Sequence, residues 1–331
     1  RFKMRVWFLK ETDSICTGCA TGCNITIGSR QETVYRLTPR ENDEVNSHWM
    51  CDQGRLGFHY IHSDKRLTRP LVRVNEASIT GAWSDLFGQI QMKAQGLKGK
   101  EVAILASGRL TNEELFLISE LRRELGGDDV LCDIVPRSRE GDDFLKSSDV
   151  NPNSAGTVLT GVGKDGADIP KIKSGIDAGT IKALFVFHED PVAAGLPLET
   201  LEKLDLIIVQ GMLEDEDTKQ EHFVLTGASI DEKKGTMINR DGRLQRLTRA
   251  IPLPGQALED FEILLKLRAA VTGGNGLHTI EEVFKAMGAK HAEFAGLTLA
   301  GVGKLGVQLG SNKDAAPSRE TAPKSSVTAE K

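Results

Sequence analysis

Four cysteines constrain this chain more than any other feature. Cys16, Cys19 and Cys23 form a C-x2-C-x3-C loop, and Cys51 follows after 27 further residues. The 331 residues hold five cysteines, and an odd count with three packed into eight positions makes a poor disulfide framework. With no secretion signal, the pattern points to metal in a reducing cytoplasm. Three thiolates on one tight loop can cap three corners of a cubane, and a distant fourth can ligate the remaining iron. The small residues Thr17, Gly18, Ala20, Thr21 and Gly22 let backbone N–H groups turn toward cluster sulfurs. The alternative is a structural zinc site, which usually pairs two close couples of ligands. The distal half here offers one cysteine, with His48 three residues before it, so the spacing favours one 4Fe-4S cluster over zinc. Cys132 lies in an apolar run and reads as a core residue.

Period and punctuation divide the rest. Phe2, Met4, Val6 and Phe8 alternate with Lys3 and Arg5, which predicts a strand at the start. Ile25 and Ile27, then Thr33 to Leu37, predict two strands joined by a turn at Gly28-Ser29-Arg30-Gln31. Residues 1–67 thus read as a small β-rich module, closed by Arg66-Leu67-Thr68-Arg69-Pro70-Leu71. Over residues 68–290 strands and helices interleave. Strands are expected at Val102 to Ala106, Val130 to Val135, Ala183 to Phe187, Leu206 to Val209 and Phe223 to Leu225. Thr111-Asn112-Glu113-Glu114 spells a capping box for a helix that ends at Gly126-Gly127. A helix is expected near Leu198–Leu204, and two more over 257–290, broken at Gly273-Gly274-Asn275-Gly276. This alternation predicts an α/β fold with a doubly wound, mostly parallel sheet. Residues 291–331 are an Ala/Gly-rich segment followed by a tail expected to be disordered.

Composition excludes several roles. The net charge of −5, the lack of a basic patch and 5% aromatic content argue against nucleic acid. No run approaches the roughly 20 apolar residues of a bilayer span, so no direct membrane insertion is expected. Without a methionine at position 1, the chain reads as a fragment or a trimmed form.

The segments Ser14-Ile15-Cys16-Thr17-Gly18-Cys19-Ala20-Thr21-Gly22-Cys23-Asn24-Ile25 and Cys51-Asp52-Gln53-Gly54-Arg55 resemble the cluster domain of molybdopterin oxidoreductases. The nearest resemblance is to a family of iron–sulfur subunits of bacterial respiratory complex I, the NADH:quinone oxidoreductase, whose C-terminal part is molybdopterin oxidoreductase-like. Ser107-Gly108-Arg109 and Lys234-Gly235-Thr236-Met237-Ile238-Asn239-Arg240-Asp241-Gly242-Arg243-Leu244-Gln245 carry it further, to about residue 270. The resemblance implies a truncated molybdopterin oxidoreductase type of fold with a 4Fe-4S module in front. It also implies a peripheral-arm subunit on the cytoplasmic side of the bacterial inner membrane, docked to flavin/NADH-binding and iron–sulfur subunits. In such relatives the four-cysteine cluster is set apart from the main electron chain. Active molybdenum enzymes of the family carry a Lys two positions after the fourth cysteine, and Gln53 stands there in this chain. No molybdopterin and no independent catalytic site are therefore expected. A formate dehydrogenase-like subunit and a zinc-stabilised scaffold remain as alternatives.

Three further patterns have simpler readings. Gly161-Val162-Gly163-Lys164-Asp165-Gly166 fits G-x-G-x-x-G, but Ala167-Asp168-Ile169-Pro170 is a poor helix opening, so a surface loop is expected. Glu214-Asp215-Glu216-Asp217 reads as a solvated acidic surface. His188, Glu189 and Asp190 end a buried strand, where a structural role is the default and the carboxyl strand edge is the place to inspect for a ligand. Gly235, Gly242 and Arg243 are expected to maintain a turn and domain packing.

Overall fold

The computed structural model describes residues 4–74, 77–163, 165–214, 223–274 and 276–310. Its first sheet is an antiparallel meander of β1 (Lys10–Ile15), β2 (Asn24–Arg30) and β3 (Thr33–Pro39). Ile25 and Ile27 alternate inward from β2 and pack with Val34, Leu37, Phe58 and Ile61. The β2–β3 turn is Gln31-Glu32, both at positive φ (48° and 64°), the conformation a two-residue hairpin needs. It falls later than the sequence suggested, because a bulge at Gly28/Ser29 lets β2 run on to Arg30.

The leading strand is also displaced. Val6–Phe8 form a 3-10 turn with all three side chains exposed, and pairing begins only at Lys10, opposite Ser29. β2 ends at Arg30, so the alternating residues ahead of Lys10 have no β2 strand beside them. Arg1, Phe2 and Lys3 lie outside the described residues.

After the short α1 (Asp52–Leu56), a seven-stranded mixed sheet begins. β4 (Leu71–Val74) and β5 (Ala77–Thr80) are its antiparallel edge. α2 (Trp83–Ala94) leads to β6 (Val102–Ala106), α3 (Asn112–Leu125) and β7 (Leu131–Ile134). α4 (Ser154–Leu159) and α5 (Ile169–Asp177) precede β8 (Ala183–Phe187), then come α6 (Leu198–Leu201), β9 (Leu206–Gly211) and β10 (Phe223–Thr226). The strand order is β5-β4-β10-β9-β8-β6-β7, with the last five parallel.

These strands read as unbroken apolar runs because both faces are covered. Val102, Ile104 and Ala106 pack on one side with α2 and α3, while Ala103 and Leu105 pack on the other with α5. The Thr111–Glu114 capping box opens α3, and Gly126 at φ 143° stops it. The doubly wound α/β expectation therefore holds.

α5 corrects one expectation. It opens at Ile169 with Pro170 in its first turn, where a missing N–H removes nothing from the helix. The preceding Gly161 follows α4 rather than a strand, so the Gly161–Gly166 segment still lacks the setting of a dinucleotide loop. Lys164 is outside the described residues, as are Asp215, Glu216 and Asp217.

The segment holding Gly235, Gly242 and Arg243 is a hairpin, β11 (Gly235–Ile238) with β12 (Arg243–Leu247), to which the later β13 (Val307–Gln308) adds. Between them α7 (Asp260–Thr272) and α8 (Ile280–Lys290) pack against α3. Gly273, left-handed at φ 73°, ends α7, and a Thr279–Glu282 capping box starts α8. Asn275 and the tail beyond residue 310 lie outside the described residues. No helix among the described residues is long and apolar enough to cross a membrane.

Candidate metal centre

The first three cysteines occupy the loop between β1 and β2. A Cys16 N–H to Cys23 C=O bond of 2.8 Å continues the ladder and closes this loop, and Gly22 N–H donates to Cys19 C=O at 3.3 Å. Cys51 sits at the N-cap of α1, where its sulfur accepts from Gly54 N–H at 3.3 Å. Gly18 N–H similarly points at Cys16 Sγ, 3.4 Å away. All four thiols are free and line one pocket, together with Gly18, Gly22, Met50, Gln53, Gly54, Arg139 and Leu145. The pocket is closely drawn, at about 10 Å³, so seating a larger group requires the thiols to spread.

Two glycines fix this approach. A Cβ on Gly54 would lie 2.9 Å from Cys16 Sγ, so only glycine lets the α1 backbone come this near the sulfurs. Gly22 holds φ +64°, and a Cβ there would meet Gln245 Oε1 at 2.4 Å. Gly18 is less constrained, since its Cβ would make an ordinary 3.5 Å contact with Cys16 Sγ.

The rest of the chain grips the loop from outside. Ala20 N–H donates to Asp149 C=O (3.0 Å), and Thr21 Oγ1 to Leu145 C=O (2.7 Å). From the β11–β12 hairpin, Arg240 N–H reaches Ala20 C=O (2.7 Å) and Gln245 Nε2 reaches Gly22 C=O (2.9 Å). Gly242 shapes the hairpin turn at φ +77°, and Arg243 donates to the Gly306 carbonyl (3.3 Å). These residues hold a turn and join segments, in keeping with the sequence reading.

Burial pushes the Cys16 thiol up to about 12, opposed by the Gly18 N–H and reinforced by Cys19 and Cys51. Cys23 is raised by burial and then by the other three cysteines. Protein groups alone thus leave Cys16 and Cys23 protonated, and a cationic centre is what would convert these two to thiolates. His48 is not part of the site: its side chain is exposed and its Nε2 lies 3.6 Å from Glu41. Cys132, pushed up to about 12 by burial, lies in β7 within the core and away from the four.

A larger cavity of about 560 Å³ opens at the carboxyl edge of β8, β9 and β10. Its walls include Tyr60, Arg73, Arg109, His188, Glu189 and Lys233. His188 has φ +54°, with Nε2 3.0 Å from Asp260 Oδ1. Lys233 Nζ is buried between Asp260 (2.7 Å) and Glu114 (2.9 Å). Burial alone would raise Asp260, but His188 and Lys233 outweigh it and hold the carboxyl well below the usual range. Burial would likewise lower Lys233, yet the two carboxylates keep it above an ordinary lysine. Glu189 is engaged by both terminal guanidinium nitrogens of Arg137, Nη1 and Nη2, and Asp190 caps the N–H groups of Val192 and Ala193. His188, Glu189 and Asp190 therefore face different partners and form no catalytic trio.

Sequence reasoning missed Arg139, which enters the pocket from a distant loop, and the Lys233–Asp260–Glu114 cluster. Both depend on tertiary contacts with no local spacing to announce them.

Comparison with known proteins follows the same division. Residues 9–59 match the NADH-ubiquinone oxidoreductase NDSU1/NuoG-like 4Fe-4S domain, and residues 138–270 match the molybdopterin oxidoreductase family. NADH-quinone oxidoreductase subunit 3 of Thermus thermophilus is 36% identical over 125 residues, covering 38% of this chain and 16% of that protein. A putative formate dehydrogenase of Bacillus subtilis is 29% identical over 126 residues, covering 37% and 13%. This chain therefore aligns with only a small part of such relatives. Acetylene hydratase from Pelobacter acetylenicus shares the fold, with a TM-score of 0.57 at 9% identity, over 91% of this chain and 74% of its own. The chain thus joins a NuoG-like 4Fe-4S domain to a molybdopterin oxidoreductase region, with distant homology to the NuoG-type component of NADH-quinone oxidoreductase.

Proposed function

We propose that this chain is an iron–sulfur part of the peripheral arm of an NADH:quinone oxidoreductase, holding one 4Fe-4S cluster on Cys16, Cys19, Cys23 and Cys51. The observation that carries the reading is the meeting of four free thiols from two separate segments around one pocket. Such a cluster would supply one-electron chemistry. The chain's own residues would bind it through four sulfurs, exclude water with Met50 and Leu145, and direct the Gly18 and Gly54 N–H groups at Cys16 and Cys51. Among the described residues, no three His, Cys, Asp or Glu side chains are placed to hold a single metal ion. The C-x2-C-x3-C spacing with a single distant fourth cysteine is what favours a cluster over zinc, whose sites usually pair two close couples of ligands.

The scaffold role rests on the same resemblance: neighbouring flavin and iron–sulfur subunits would be the partners, with NADH oxidised elsewhere. We propose no molybdopterin and no independent catalytic site. A formate dehydrogenase-like subunit is the second reading, favoured by the 560 Å³ cavity at the carboxyl edge, where open α/β sheets bind ligands.

Elemental analysis of anaerobically purified protein separates these readings. About four irons and four sulfides per chain, without molybdenum or zinc, is the expected result. Stoichiometric zinc would leave only a scaffold, and molybdenum with pterin would establish the second reading.

A further inference from the structure

Resting on the cluster reading above, we propose that Arg139 is a positioning residue of the four-cysteine pocket, one that directs a fixed positive charge and a free N–H donor at the sulfurs and so favours the reduced cluster.

Arg139 lines the same pocket as the four cysteines. Its backbone is fixed in a narrow loop by a 2.9 Å bond from its N–H to Ser148 C=O, beside a Ser138–Asp149 bridge. Its side chain is then anchored twice, by Nε to Ser147 C=O (3.2 Å) and by Nη1 to Gln53 Oε1. The remaining nitrogen, Nη2, is buried and has no hydrogen-bond partner. A buried donor left without an acceptor is destabilising, so this position calls for one. The side chains lining the pocket include no carboxylate, and sulfur is the main remaining acceptor.

Gln53 gives the arrangement its sense. It is a neutral amide whose oxygen orients the guanidinium fork without cancelling its charge. A Glu at this position would make the same contact and neutralise the cation. The positive charge that Gln53 itself lacks is thus delivered to the pocket from the 137–150 loop. A cation beside the sulfurs favours the form that has gained an electron, and hydrogen bonds to sulfur act in the same direction.

The test is a dye-mediated dithionite titration of the whole chain, followed by EPR, with iron and sulfide counted in every sample. In R139Q the ratio of reduced to oxidised cluster at fixed solution potential should fall at least tenfold, a shift of about 59 mV for one electron. Arg139→Lys should shift it less, and Gln53→Glu should lower it with Arg139 still in place. Full iron in R139Q with an unmoved potential would overturn the proposal. If R139Q fails to assemble, unmoved potentials in both R139K and Q53E would do the same. An iron-free wild-type protein would instead overturn the cluster reading on which the proposal rests.

Discussion

The cysteine pocket and the carboxyl-edge cavity differ in what their polar groups already do. Around the cavity, buried charges answer one another: Lys233 sits between Asp260 and Glu114, and Arg137 clasps Glu189. In the cysteine pocket, burial and the neighbouring cysteines raise Cys16 and Cys23, and Arg139 Nη2 has no hydrogen-bond partner. The buried charges of the first region pair with one another, although Ser229 Oγ beside the cavity has no hydrogen-bond partner, whereas the charge of Arg139 meets no carboxylate in its pocket. A large volume is thus a weaker sign of function than a small pocket whose chemistry is incomplete.

Replacing a ligand should separate the two regions most sharply. Cys23→Ser should abolish cluster binding, with iron falling from about four per chain to background, while Cys132→Ser should leave iron unchanged. Iron analysis on the two purified variants checks this. Lys233→Met should act in the opposite sense. It leaves Asp260 and Glu114 buried without their cation, and about 3–5 kcal/mol of stability should be lost in urea unfolding. Iron per folded molecule should be retained.

Gly22→Ala lies between these extremes, because it touches the loop and its clasp together. The left-handed φ and the 2.4 Å approach to Gln245 predict a loss of about 1–3 kcal/mol, read by urea unfolding alongside iron content.

The smallest expected effect is a slope. Burial raises the Glu113 carboxyl to about 7, despite its bonds to Thr236. The folded chain therefore keeps this proton after the unfolded chain, with an ordinary carboxyl near 4.5, has released it. Stability from this group is full below about pH 4.5 and declines as pH rises toward about 7. Glu113→Gln should flatten that decline in urea midpoints measured across the window.

What the sequence disclosed follows the reach of each interaction. The Thr111–Glu114 box and the Gly273 stop are local, and each has its expected counterpart in the fold, while the equally local cysteine spacing brings four thiols to one pocket. The apolar runs of β6 and β8 disclosed burial on both faces. Alternation near the start misled, because a period of two gives no strand unless another lies beside it. Pro170 misled because proline suits the first turn of a helix as well as its end. The β11–β12 hairpin was obscured by charged residues along Arg240–Arg243, and Arg139 by its 86-residue separation from Gln53.

The central claim is the four-cysteine cluster, and a Mössbauer spectrum of protein reconstituted with iron-57 tests it most directly. One cubane per chain, lost together with any of Cys16, Cys19, Cys23 or Cys51, is the predicted result. A spectrum of a two-iron centre, or full iron in a variant lacking one of these four thiols, would contradict it.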